Sequence, residues 1–110
     1  MAKLNPKSDT IVVIRKDSLA LTVTIENYQL KAGDKLYFTI ADRVENPNFT
    51  YQAEITTFTA EGKAEIFIDS SDLDIDAGNY LYDVQVNLEN GVTETLIGPA
   101  LFIVKGGVTY

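Results

Sequence analysis

The chain has 110 residues, a hydrophobic content of 45% and a formal net charge of −7, and it contains neither cysteine nor histidine. This length fits a single domain, and this hydrophobic content supports a packed core rather than a disordered chain. Without cysteine and histidine the chain lacks a disulfide, a thiol nucleophile, the commonest general base and the commonest zinc ligand. We therefore expect one non-enzymatic domain over residues 1–110, with no cofactor and no metal.

The negative charge lies in the second half of the chain. Residues 1–60 hold seven acidic and seven basic residues, whereas residues 61–110 hold nine acidic residues against Lys63 and Lys105. Such a half repels a phosphate backbone, so we expect no nucleic-acid partner. It serves solubility, or it forms a docking face for a basic partner. The chain shows no long apolar run and no apolar signal region near its start, so we expect neither membrane association nor a secretory signal.

Apolar and polar residues alternate along most of the chain, which is the pattern of half-buried strands. In the clearest stretch, Tyr80, Tyr82, Val84, Val86 and Leu88 share one face. Short strands separated by turns predict an all-β, antiparallel β-sandwich of about seven strands. Residues 1–9 would be an N-terminal arm and residues 105–110 a C-terminal tail. The predicted strands cover residues 10–15, 18–26, 35–42, 50–58, 63–69, 79–89 and 92–104.

The turn between the last two predicted strands has a specific sequence signature. Asn90-Gly91 predicts a two-residue type I′ hairpin, because both residue types tolerate positive φ. That register would place Val86 opposite Thr95 and Val84 opposite Ile97.

The other breaks are a glycine loop and a proline. The sequence TAEGK at residues 59–63 predicts a longer hairpin loop with Gly62 in the left-handed region. Gly98-Pro99 interrupts the last strand and predicts a bulge or a change of sheet, because proline cannot donate to a strand ladder.

An acidic stretch before the seventh strand invites a metal interpretation. Asp72, Asp74 and Asp76 have the spacing of the first calcium ligands in an EF-hand loop, and Asp83 falls at its last ligand position. That loop also needs glycine at its sixth position, a glutamate at its end and flanking helices. Here Ala77 stands sixth and strands flank the segment. We interpret the stretch as a solvated acidic loop and predict no metal site.

The segment DAGNYLY resembles the D-x-G-x-Y-x-C pattern of immunoglobulin-like domains. The resemblance implies a structural corner formed by Asp76, Gly78, Tyr80 and Tyr82. The hydroxyl of Tyr80 would bond to the backbone a few residues upstream. Tyr82 would fill the space of the second disulfide cysteine. The sandwich would therefore be immunoglobulin-like and hold together without a disulfide.

A second resemblance covers several segments. Residues 32–34 (AGD), 38–40 (FTI), 77–84 (AGNYLYDV), 102–104 (FIV) and 108–109 (VT) look like recurring elements of small immunoglobulin-like structural proteins of tailed bacteriophages and prophages. The N-terminal domains of upper baseplate proteins are similar. The resemblance implies a structural component of a virion, in the tail, baseplate or capsid surface. Such a protein is made in the bacterial cytoplasm and acts through contacts with other particle proteins, in several copies.

Outward-pointing aromatic residues and the C-terminal tail supply candidate contact residues. In the predicted strands Tyr37 and Phe67 fall on the exposed side, and the tail follows two glycines that let it swing out to a neighbour's sheet edge. The candidate interface residues are Tyr37, Phe67, Val108, Thr109 and Tyr110. The same aromatic residues fit an alternative function, a carbohydrate-binding or adhesion module.

Overall fold

The computed structural model describes residues 2–3, 10–25, 28–43, 45–47 and 49–106. Within these ranges the chain is all-β, and no helix there is long and apolar enough to cross a membrane. The described strands are β1 (Ala2–Lys3), β2 (Ile11–Ile14), β3 (Leu19–Val23), β4 (Lys35–Ala41), β5 (Thr50–Ile55), β6 (Ala64–Ile68), β7 (Gly78–Asn87) and β8 (Thr93–Lys105).

These strands form two sheets around one core. A three-stranded sheet has the order β1-β3-β6, and a five-stranded sheet has the order β2-β8-β7-β4-β5. The prediction of an all-β sandwich is confirmed at this level. The pairing is antiparallel as predicted for β3 with β6, β4 with β5, β4 with β7 and β7 with β8, but β1 pairs with β3 and β2 pairs with β8 in parallel. Parallel neighbours need a long connection, and almost the whole domain lies between β2 and β8.

The core is built from the alternating inward residues of both sheets. On β7 the predicted inward face is confirmed: Tyr82, Val84 and Val86 are buried, and Tyr80 and Leu88 pack against the core. Phe38 on β4 lies 5.5 Å from Tyr82 and 6.4 Å from Phe102 between ring centroids. These tilted and edge-on rings add to the stabilisation that their buried area provides.

The hairpin between β7 and β8 differs from the predicted one. It is a three-residue loop closed by a hydrogen bond from the Leu88 amide to the Val92 carbonyl. Within the loop only Gly91 has positive φ. Val84 does lie opposite Ile97, but Val86 lies opposite Glu94 rather than Thr95. The longer loop shifts the pairing by one residue, and a register shift between Val84 and Gln85 restores it.

Gly62 has positive φ in a tight turn, as predicted, with its amide donating to the Thr59 carbonyl. This turn does not close a hairpin, however, because β5 and β6 belong to different sheets. Residues 56–59 instead carry the chain from one sheet to the other. The predicted strand 50–58 is correspondingly too long, since β5 ends at Ile55.

The last strand bulges at Gly98-Pro99 and stays in its sheet. Tyr82 lies opposite Ala100 and Val84 lies opposite Ile97, so two residues of β8 face Asp83 alone. This outcome matches the bulge alternative of the sequence prediction. Gly98 has φ +129°, and a Cβ atom there would lie 2.9 Å from the Asp83 Cα atom. Glycine therefore lets the bulged backbone press directly against Asp83.

Candidate functional site

The segment from Asp76 to Tyr82 leads the chain into β7. The hydroxyl of Tyr80 donates to the backbone carbonyl of Asp76 at 2.7 Å, on the surface of the domain. The Tyr80 ring also meets the Phe49 ring edge-on at 5.8 Å between centroids. Tyr82, two residues on, is 2% exposed in the core. This segment therefore fixes how the chain enters β7.

The acidic loop does not gather its carboxylates. Leu73 is buried and Ile75 packs against the core, so the acids that alternate with them, Asp72, Asp74 and Asp76, turn outward. The carboxylate of Asp74 accepts a hydrogen bond from Arg15 at 3.0 Å. Among the residues that the structure describes, no three acidic side chains are placed to hold a metal ion. The two-residue spacing of the acids thus reflects strand-like alternation around an apolar anchor.

A buried carboxylate joins two distant loops. Asp34 is 1% exposed. One of its oxygens accepts hydrogen bonds from the Tyr28 hydroxyl at 2.6 Å and the Lys31 amide at 3.1 Å. The other accepts the Glu89 amide at 2.9 Å. Asp34 therefore ties the connection between β3 and β4 to the hairpin between β7 and β8.

The ionisation of this cluster follows from its hydrogen bonds. Burial acts to raise the pKa of Asp34, but hydrogen bonds from Tyr28 and from the amides of Glu89 and Lys31 outweigh it, and the pKa is lowered. The hydrogen bond to Asp34, reinforced by burial and by the charges of Asp34 and Glu89, raises the pKa of Tyr28 to about 12. The pair is therefore held as carboxylate and neutral phenol at neutral pH.

The outward side of the five-stranded sheet carries an apolar patch. Val12 lies beside Ile103, Leu101 lies beside Leu81, and Leu81 lies beside Ala41. Their chain neighbours point into the core, so these five side chains point away from it. Val12 is 53% and Leu101 43% exposed. These neighbouring positions on β2, β8, β7 and β4 form one apolar surface rather than scattered single residues.

A hollow of about 200 Å³ adjoins this patch. The β8 bulge lies on one side of it, and Asp83 points outward between Tyr82 and Val84. Burial by these surroundings raises the pKa of the Asp83 carboxyl. No hydrogen bond or ion pair holds that carboxylate within the part of the chain that the structure describes. The residues lining the hollow include Thr39, Arg43, Pro47, Leu81, Asp83 and Pro99.

The structure does not bring the predicted interface residues together. Tyr37 lies on the outward side of the five-stranded sheet, where its hydroxyl donates to Glu54 at 2.8 Å. Phe67 is 66% exposed on the three-stranded sheet. The two rings thus lie on opposite faces of the sandwich and cannot form one site. Val108, Thr109 and Tyr110 lie outside the described residues.

The crossing between the two sheets forms a further groove. Residues 56–59 run along a hollow of about 330 Å³ whose lining residues include Glu54, Phe58 and Glu65. Three threonines and two glutamates are among the lining residues, and the groove is mostly polar. It differs in character from the apolar patch on the five-stranded sheet.

No protein-family model matches the chain, and no curated protein matches it significantly. Arguments about function therefore rest on the residues themselves.

Sequence reasoning missed two of the carboxylates that distinguish this molecule. The sequence identified Asp34 only as part of the AGD segment, because its partner Glu89 lies 55 residues away in sequence. Asp83 was identified only as a candidate metal ligand and as part of the segment AGNYLYDV. The signal for Asp83 was present in the sequence, because a carboxylate next to a Gly-Pro bulge on the adjacent strand loses part of its hydration.

Proposed function

We propose that the chain is a non-enzymatic structural component of a phage or phage-like particle, in its tail, baseplate or capsid surface, and that it acts through protein–protein contacts. The segments that resemble phage structural proteins have structural roles in this fold. Asp34 of the AGD segment links two loops, and Tyr80 and Tyr82 anchor the start of β7. These roles fit a stable framework that presents a surface.

An immunoglobulin-like fold is part of this proposal. In such domains strand B pairs with E, and strand F lies between C and G. The pairing of β3 with β6, and the order β8-β7-β4, correspond to these neighbours. The hydrogen bond from Tyr80 to the Asp76 carbonyl supports the same assignment, because it occupies the place of the tyrosine corner.

The observation that carries the functional proposal is the apolar patch. Val12 and Leu101 are exposed on a regular sheet, where solvent-facing positions are normally polar. Burial of such side chains against another protein gains about 25 cal/mol for each Å² of apolar surface removed from water. A permanent place in an assembly would supply that burial.

The direct test is the composition of particles. Phage or prophage particles released by the bacterium that encodes the chain would be purified on a density gradient and digested for mass spectrometry. We expect the chain at a constant ratio to the tail or capsid proteins across the particle peak. A chain that stays at the top of the gradient while particles sediment would exclude the proposal. Neighbouring genes for capsid, sheath or baseplate proteins would support it.

A carbohydrate-binding or adhesion module is the second candidate, favoured by the polar groove beside residues 56–59. Carboxylates such as Glu65 accept hydrogen bonds from sugar hydroxyls, and Phe58 offers an apolar ring surface. We expect host cell-wall polysaccharides to release binding heat in calorimetry with the parent chain and none with Glu65→Ala. The control Asp69→Ala removes one carboxylate outside the groove. Absence of heat across these polysaccharides would exclude this function.

A further inference from the structure

The outward side of the five-stranded sheet is nearly neutral, in contrast to the rest of the chain. Its outward charged residues are the bases Lys35, Arg43 and Lys105 and the acids Glu54 and Asp83. The whole chain carries a net charge of −7, so two copies repel each other through most pairs of faces. Contact through this sheet avoids that repulsion and buries the apolar patch.

The hollow next to the patch contains one charge of each sign. Asp83 offers a carboxylate without a partner among the described residues. Arg43 lines the same hollow, and its Nε atom donates to the Asn46 carbonyl at 2.9 Å. That bond uses one of the five N–H donors of the guanidinium group, so the terminal nitrogens can still donate hydrogen bonds to a carboxylate.

From this arrangement we infer that the sheet is an interface between two copies of the chain, in which Arg43 of each copy binds Asp83 of the other. A two-fold axis makes such an interface self-complementary, since each contact occurs twice. The apolar patches then cover each other, and the ion pairs set the register of the two sheets. This inference rests on the proposed function and names the partner at its contact surface.

Charge reversal and charge exchange test the pairing. Sedimentation equilibrium from micromolar to millimolar protein would compare the parent with Arg43→Asp, Asp83→Arg and the double exchange. We expect a dimer in the parent, association weakened about tenfold or more in each single variant, and recovery in the double exchange. An equimolar mixture of the two single variants should also recover the dimer, because each contact between position 43 of one copy and position 83 of the other then joins an acidic to a basic side chain.

The matched control is Lys35→Asp, which changes net charge by the same amount as Arg43→Asp on the same sheet but away from the hollow. We expect it to leave the dimer within about twofold of the parent at moderate salt, because exposed distant charges are screened. Urea unfolding of every variant shows that a lost dimer is not a lost fold. A parent that stays monomeric at millimolar concentration, or a double exchange that fails to recover, would overturn the inference.

The outcome separates this inference from the proposed function. A dimer in solution with no chain in purified particles would leave the interface standing and remove the structural role in a particle. A monomer whose incorporation into particles fails in Asp83→Arg would keep that role and show that the sheet binds a different particle protein. That second result would overturn pairing between two copies.

Discussion

The pKa shifts of Asp34 and Asp83 are opposite to those that the exposure of the two side chains alone would predict. Asp34 is almost fully buried, yet its pKa is lowered; Asp83 is partly exposed, yet burial raises its pKa. The difference lies in the hydrogen-bond donors. Asp34 accepts three bonds, whereas Asp83 accepts none from the described residues. Burial alone therefore does not decide the charge state; the donors that accompany it do.

The same contrast separates structure from function in this molecule. Around Asp34 the chain satisfies its own polar groups, as a stable framework requires. Around Asp83 it leaves a carboxylate beside apolar side chains and a hollow, which costs stability when nothing is bound. Strained or incompletely satisfied positions are where sites are expected.

The largest expected effect comes from removing the satisfied carboxylate. Asp34→Ala leaves the amides of Lys31 and Glu89 without their acceptor and should lower the free energy of unfolding by about 3–4 kcal/mol. Urea denaturation followed by tyrosine fluorescence measures this. A loss below about 1 kcal/mol would show that water replaces the carboxylate and that Asp34 does not join the two loops.

Next in size is the bulge that encloses Asp83. Gly98→Ala places a Cβ atom against the Asp83 backbone at positive φ, so we expect a loss of about 2–3 kcal/mol. The control is Gly91→Ala, which also has positive φ but nothing within 4 Å of the added atom. That variant should lose only about 1 kcal/mol. Equal losses in thermal unfolding would mean that close packing on Asp83 is unimportant.

A smaller effect is expected at the corner. Tyr80→Phe removes the hydrogen bond to the Asp76 carbonyl. Because that bond is exposed and water can take its place, the cost should be about 0.5–1.5 kcal/mol. The control in the same urea experiment is Tyr51→Phe, because the Tyr51 hydroxyl makes no such bond to the described backbone. A Tyr80 variant as stable as the control would remove the corner from the list of stabilising features.

The smallest effect is expected at Asp83. The raised pKa of Asp83 means that the folded state disfavours the charged carboxylate. The contribution of this carboxyl to stability is therefore present below its pKa in the unfolded chain and is lost as pH rises through its pKa in the folded state. Asp83→Asn should therefore leave stability at neutral pH unchanged or raise it, within about 0.5 kcal/mol. A clear loss of stability would indicate that the carboxylate has a structural partner.

Much of the fold was readable because alternation is a local property. The inward face of β7 and the corner of Asp76, Gly78 and Tyr80 depend on residues within a few positions of one another. The hairpin was wrong by one residue because Asn90 keeps negative φ, and Asn-Gly is compatible with more than one loop length. The spacing of the acids in the loop before β7 was visible, but not that Leu73 between them is buried.

The candidate site was less readable because it depends on distant residues. The chain crosses from the five-stranded to the three-stranded sheet after β5. Tyr37 and Phe67 therefore lie on opposite faces of the sandwich, although both were predicted to point outward. The apolar patch combines β2, β8, β7 and β4, whose order no local pattern specifies. Parallel pairing of β2 with β8 brings Val12 beside Ile103, and neither residue is unusual in its own segment.

The most direct test of the contrast is an NMR titration of the aspartate side-chain carboxyl carbons, with Asp34→Asn and Asp83→Asn used for assignment. We expect the carboxyl of Asp34 to titrate below the ordinary aspartate pKa of about 3.9 and that of Asp83 above it. Stability contributed by Asp34 would then be present above that ordinary value and lost as pH falls through the lowered one. Titration of Asp34 at or above the ordinary value, or of Asp83 below it, would contradict the account.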